Sequence, residues 1–106
     1  MKLFRVSEMV KGWFVGNFAP AAMVSDQFEV GLKQYKQGEF EVRHVHKIAT
    51  EITVIVSGEV RMNGRTFGAG DIIVLEPGEP TDFSAITDSI TVVVKTPSAK
   101  NDKYLV

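Results

Sequence analysis

Two five-residue runs, Ile52-Thr53-Val54-Ile55-Val56 and Ile90-Thr91-Val92-Val93-Val94, constrain the fold of this 106-residue chain more than any other feature. β-Branched residues at almost every position are stiff in a helix and pack well on a pleated surface, so both runs read as strands. Neither alternates apolar with polar as a half-exposed strand does, which predicts strands covered on both faces. The second sheet of a sandwich can cover one face. The outer face then needs cover too, which a partner subunit could supply.

The rest of the chain follows the same style. Short β-branched or aromatic runs span Gly12 to Phe18, Gln27 to Gln37, Glu41 to His46, Glu51 to Ser57, Glu59 to Met62, Arg65 to Phe67, Asp71 to Leu75, Thr81 to Ala85 and Ser89 to Thr96, separated by glycine and proline. Many short strands with regular turn signals predict an all-β barrel or sandwich. Asn63-Gly64, between Val60-Arg61-Met62 and Arg65-Thr66-Phe67, predicts a two-residue hairpin of the type that needs positive φ at both central positions. Ser7, ahead of Glu8-Met9-Val10-Lys11, predicts the cap of one short helical turn.

Length and the absence of any linker predict one domain over 1–106, with a strand or arm over 1–25, a barrel over 26–96 and a polar, then amphipathic, tail over 97–106 that frays or docks late. Twelve basic and 13 acidic residues are scattered along the chain, so no basic stripe invites nucleic acid. Charges at Lys2, Arg5, Glu8 and Lys11 interrupt the N-terminus where a secretory signal has an apolar core, and no apolar run is long enough to span a bilayer; a cytoplasmic protein is the expectation. With no cysteine, any metal must be held by histidine, carboxylate and water. No nucleophile elbow and no phosphate-cradling glycine loop leading into a helix is present.

Both histidines of the chain fall in Phe40-Glu41-Val42-Arg43-His44-Val45-His46. Strand alternation puts residues 40, 42, 44 and 46 on one face, and apolar Phe40 and Val42 mark that face as the inward one. A turn through Lys47-Ile48-Ala49-Thr50 brings Glu51 onto the neighbouring strand, aimed at the same point. Two imidazoles and one carboxylate with open positions suit Fe(II), Mn(II), Zn(II) or Ni(II). The plainer alternative is a pair of histidines hydrogen-bonded to Glu51 and backbone with no metal.

The spacing of this segment resembles the first motif of the cupin superfamily: Gly38, five residues, His44-Val45-His46, four residues, Glu51, six residues and Gly58. Gly70, Asp71, Gly78, Pro80 and Phe83 likewise match that family's second motif. Glu76 stands at its usual proline, Ala85 at its usual asparagine and Thr81 at its third histidine ligand. The resemblance implies a small all-β, cupin-type double-stranded β-helix, a jelly-roll barrel, with His44, His46 and Glu51 as metal ligands. It also implies weaker affinity where Thr81 replaces an imidazole. Asp82 would replace it only through a bulge that turns it inward.

Three functions follow as expectations. One is a metal-dependent cupin acting on a small polar molecule; the second is a non-enzymatic binding or sensing cupin; the third is a metal-independent sugar isomerase or epimerase. Glu76 and Glu79 are candidate mouth carboxylates, and Tyr35, Gln37 and Arg61 candidate cavity residues, though each also reads as a surface residue. Trp13, Phe14 and Phe18 complete the core or cover a subunit interface, and apolar residues on both faces of that strand favour a homodimer.

Overall fold

The computed structural model describes residues 1–106. Two short 3-10 turns, Val6–Glu8 and Val10–Gly12, precede eleven strands. These are β1 (Trp13–Gly16), β2 (Met23–Val24), β3 (Glu29–Tyr35), β4 (Phe40–Val45), β5 (Thr50–Ser57), β6 (Glu59–Met62), β7 (Arg65–Gly68), β8 (Ile72–Leu75), β9 (Thr81–Ala85), β10 (Ser89–Thr96) and β11 (Tyr104–Leu105). A six-stranded sheet in the order β2-β1-β3-β10-β5-β8 faces a five-stranded sheet in the order β11-β4-β9-β6-β7. All nine strands expected from the sequence form, within a few residues of the expected limits. No helix is long and apolar enough to cross a membrane.

The two aliphatic runs become β5 and β10, paired with each other at the centre of the larger sheet. Their inward residues Ile55, Thr91 and Val93 are buried. Ile55 joins Val60, Met62, Leu75, Phe83 and Ala85 in the core between the sheets, with Tyr35, Phe67 and Ile73 packed at its edge. Side chains as fully buried as Ile55 and Val60 stabilise the fold by about 1.5–3 kcal/mol each. The hairpin at Asn63-Gly64 forms as its sequence requires, with Met62 opposite Arg65 and φ of 49° and 77° at the two turn residues. Gly58, last residue of the first motif, has a steric reason. A Cβ there would sit 2.2 Å from the Asp88 carbonyl oxygen.

One expectation about the N-terminus needs correcting. Ser7 lies inside the first 3-10 turn rather than capping it, and the N-cap position falls on Arg5, which makes no side-chain cap. Of the two expectations for the C-terminal tail, docking is the one that holds: Tyr104 and Leu105 pair with Val45 and His44 as an added edge strand. Because that strand borders the histidine segment, the tail becomes part of the site's support.

Candidate metal centre

His44 and His46 are brought inward by a bulge. In the β4–β9 ladder Glu41 pairs with Phe83 but His44 pairs with Thr81, so three steps along β4 match two along β9. The extra residue shifts the phase of alternation. Phe40 and Val42 therefore face solvent, 68% and 53% exposed, while Glu41 lines the cavity and His44 is buried. Simple alternation over 40, 42, 44 and 46 is thus overturned for its first two members and holds only for the histidines.

The bulge also orients an imidazole. Nδ1 of His44 lies 2.8 Å from the carbonyl oxygen of Val42, so it carries a proton and donates. In the neutral ring Nε2 then holds the lone pair, the arrangement that fixes a histidine as a metal ligand. His46, just beyond the end of β4, turns its ring edge-on to His44, with centroids 5.2 Å apart. Its Nδ1 lies 3.3 Å from Oε2 of Glu51 on β5, a contact too long for a strong hydrogen bond.

One donor atom from each of His44, His46 and Glu51 falls within 4.8 Å of the others. Metal–ligand bonds of about 2.1 Å require donors to stand no more than ~4.2 Å apart, so small side-chain rotations close the set around one ion. Nε2 of His46 and Oε2 of Glu51 are buried without a hydrogen-bond partner. The wholly unpartnered Nε2 of His46 costs about 1–3 kcal/mol. A buried imidazole nitrogen with no partner, beside a carboxylate oxygen held only by the long His46 contact, is what a site built for a cation looks like. Burial alone would raise the Glu51 pKa, but contact with and charge from His46, then Lys95 and His44, hold it below the usual carboxylate range. An ionised carboxylate is what a metal requires.

The turn between the ligands is held from the tail. The Asp102 carboxylate accepts the amide hydrogens of Lys47, Ile48 and Ala49 at 2.9, 3.1 and 2.9 Å, which ties the segment joining His46 to β5. Burial raises the Asp102 pKa, and these three amides with the charge of His46 more than reverse it, so the carboxyl is held low. The second motif grips the same point. Gly78 donates its amide to the His46 carbonyl at 2.8 Å.

Thr81 sits where the resemblance places it, opposite His44 and buried. It lines a cavity of about 20 Å³ shared with His44, Glu51, Thr53 and Thr91, enough for one water-sized ligand. Its hydroxyl, however, donates to the carbonyl of Asp82. Asp82 does not substitute for the missing imidazole, because its carboxylate is exposed and accepts the Asn63 amide of the hairpin at 2.7 Å. Glu76 and Glu79 are exposed loop residues bonded to each other. Of the candidate cavity residues Tyr35 alone lines it; Gln37 and Arg61 are exposed.

Lys33, Glu41, Lys95 and Lys103, which no motif singles out, line the cavity above the three ligands together with Trp13, and Asp102 supports it from outside. A signal for two of them existed. Lys33 and Lys95 alternate in phase with inward Tyr35 and Val93, so a charged residue stood on an inward face. Trp13, expected in the core or an interface, instead forms part of the cavity wall.

No protein-family model matches the chain, and no curated protein matches it in sequence. Solved structures do. An uncharacterized conserved protein with a double-stranded β-helix domain from Klebsiella pneumoniae subsp. pneumoniae MGH 78578 superposes with TM-score 0.75 at 22% identity, covering 99% of this chain and 91% of that one. An RmlC-like cupin from Shewanella frigidimarina NCIMB 400 gives 0.65 at 21% identity over 73% and 71% of the two chains. Oxalate decarboxylase from Bacillus subtilis gives 0.65 at 21%, over 77% of this chain but 24% of that larger one. Strand order, motif spacing and these likenesses agree that this chain is a small double-stranded β-helix of the cupin fold.

Proposed function

We propose that this protein holds one divalent metal through His44, His46 and Glu51 and acts on or binds a small polar molecule in the cavity above it. The observation that carries this reading is the buried, unpartnered Nε2 of His46 within a cluster of His44, His46 and Glu51 whose donor atoms lie within 4.8 Å of one another. A metal of the Fe, Mn, Zn or Ni kind would polarise a substrate oxygen or activate water. The chain's own groups would do the positioning. Tyr35 donates its hydroxyl to Glu41 Oε2 at 2.9 Å, which aims that carboxylate as a proton acceptor at the cavity edge. Burial first, then the Glu41 charge and hydrogen bond, push the Tyr35 pKa up and keep it a neutral donor. Thr81 in place of a third imidazole favours a binding or sensing role as the second reading.

The test is thermal stability with and without metal. Addition of Mn(II), Ni(II) or Zn(II) to chelator-treated protein raises the Tm of the wild type and leaves His46→Ala unmoved. No shift with any of the three metals contradicts the metal reading.

We infer also that the protein is a homodimer through the outer face of its six-stranded sheet. Leu32, Val92, Val54 and Ile72 line up across β3, β10, β5 and β8, and Val30, Val94, Ile52 and Val74 form the next row. At ordinary strand spacings these eight side chains cover roughly 260 Å² of flat area, one contiguous aliphatic patch rather than singly scattered apolar residues. Bearing no charge, it meets its own copy across a two-fold axis without like-charge repulsion.

A further inference from the structure

Above the three candidate ligands lies a cavity of about 180 Å³ whose wall carries four lysines, Lys11, Lys33, Lys95 and Lys103. The whole chain has a net charge of -1, so this concentration of cations is local. Only two carboxylates line the same cavity, Glu41 and Glu51, and Glu51 belongs to the ligand set.

Fold geometry holds the ammonium groups there. Trp13 lies flat against Gly31, where a Cβ would come within 2.8 Å of the indole. Lys33 and Lys95 then place Nζ 5.2 and 4.8 Å from the centre of that ring, a cation–π arrangement. Lys33 also donates to the Lys11 carbonyl at 2.8 Å. The carboxylates nearest Lys95 and Lys103, Glu29 and Glu41, are both 3.9 Å away, the limit of an ion pair. Burial lowers the Lys33 pKa; Glu41 opposes this, and the charges of Lys11, Lys95 and Lys103 add to it. Positive charges gathered in a low-dielectric recess focus the field on whatever enters.

We propose that this pocket recognises a small oxyanion, carboxylate or phosphate, gripped by Lys33, Lys95 and Lys103 while a second oxygen reaches the metal centre. The inference rests on the proposed metal for that second attachment only. A volume below the 300–1,000 Å³ of drug-sized ligand sites suits an acid of a few carbons or a small phosphate ester.

Calorimetric titration tests it, using oxalate, inorganic phosphate and neutral glucose against chelator-treated and Mn(II)-loaded protein, with metal content measured on the same samples. Oxalate or phosphate binds and glucose does not; Lys95→Gln raises the anion Kd at least tenfold, compared with the wild type at equal measured metal content. Lys103→Gln, at a half-exposed position that carries no packing, raises it several-fold and guards against a folding defect in the first variant. The tighter of the two anions names the group. Lysine-dependent anion binding to protein that never takes up metal would sustain this inference while removing the metal reading. Metal uptake without anion binding, or anion binding indifferent to both lysine variants, would overturn it.

Discussion

Thr81 stands directly opposite His44 in the β4–β9 ladder, yet its hydroxyl turns to the carbonyl of Asp82, 2.8 Å away, and offers the site no donor atom of ligand strength. The position is right and the chemistry is absent. Restoring an imidazole there completes a four-ligand set. Thr81→His therefore raises metal affinity at least tenfold, a gain of about 1.4 kcal/mol, read by competition with a chromogenic chelator. Equal affinities would show that residue 81 does not face the ion.

Asp102 links the chain's end to its site through three amides of the Lys47–Ala49 turn. Hydrogen bonds to a charged acceptor are worth more than neutral ones, and replacing the carboxylate by Ala removes all three and leaves the buried Ala49 amide unpaired. Asp102→Ala lowers unfolding stability by about 2–4 kcal/mol in urea denaturation. It also weakens metal binding, because the turn that positions His46 relative to Glu51 loosens. Unchanged stability would mean the tail is ornamental.

The same residue sets a pH dependence. The folded pKa of Asp102 lies below its unfolded value near 3.9. Its stabilisation is therefore fully present above that unfolded pKa and is lost as pH falls through the folded pKa. Between neutral pH and about pH 2, wild-type stability drops more steeply than that of Asp102→Asn, whose side chain does not titrate. Parallel curves in acid would contradict the assignment.

The aliphatic rows on the outer sheet face predict a dimer that a single charge disrupts. Val54→Glu, at the centre of the row Leu32-Val92-Val54-Ile72, sediments as a monomer where the wild type sediments as a dimer. A monomeric wild type at micromolar concentration would remove this interface.

Much of this molecule was legible in its residues. Runs of valine, isoleucine and threonine marked the two longest strands, β5 and β10, Asn63-Gly64 the hairpin, and the spacing of His44, His46 and Glu51 the cluster that the fold brings together. What stayed hidden depends on contacts distant in sequence or on irregular pairing. Nothing in Val42-Arg43 announces a bulge, so alternation put Phe40 and Val42 on the wrong face. The two-residue strand Tyr104–Leu105 is too short to carry a period, and Asp102 finds its amides some fifty residues away. Lys33 and Lys95 look like ordinary strand lysines until their inward phase is counted.

The central claim is that His44, His46 and Glu51 hold a metal, and the most direct measurement is metal content by elemental mass spectrometry on protein purified without chelator. Wild-type protein carries about one divalent ion per chain, whereas His46→Ala and Glu51→Gln carry almost none while keeping the wild-type circular dichroism spectrum. Wild-type protein free of metal after growth in metal-supplemented medium, or variants as well loaded as the wild type, would contradict it.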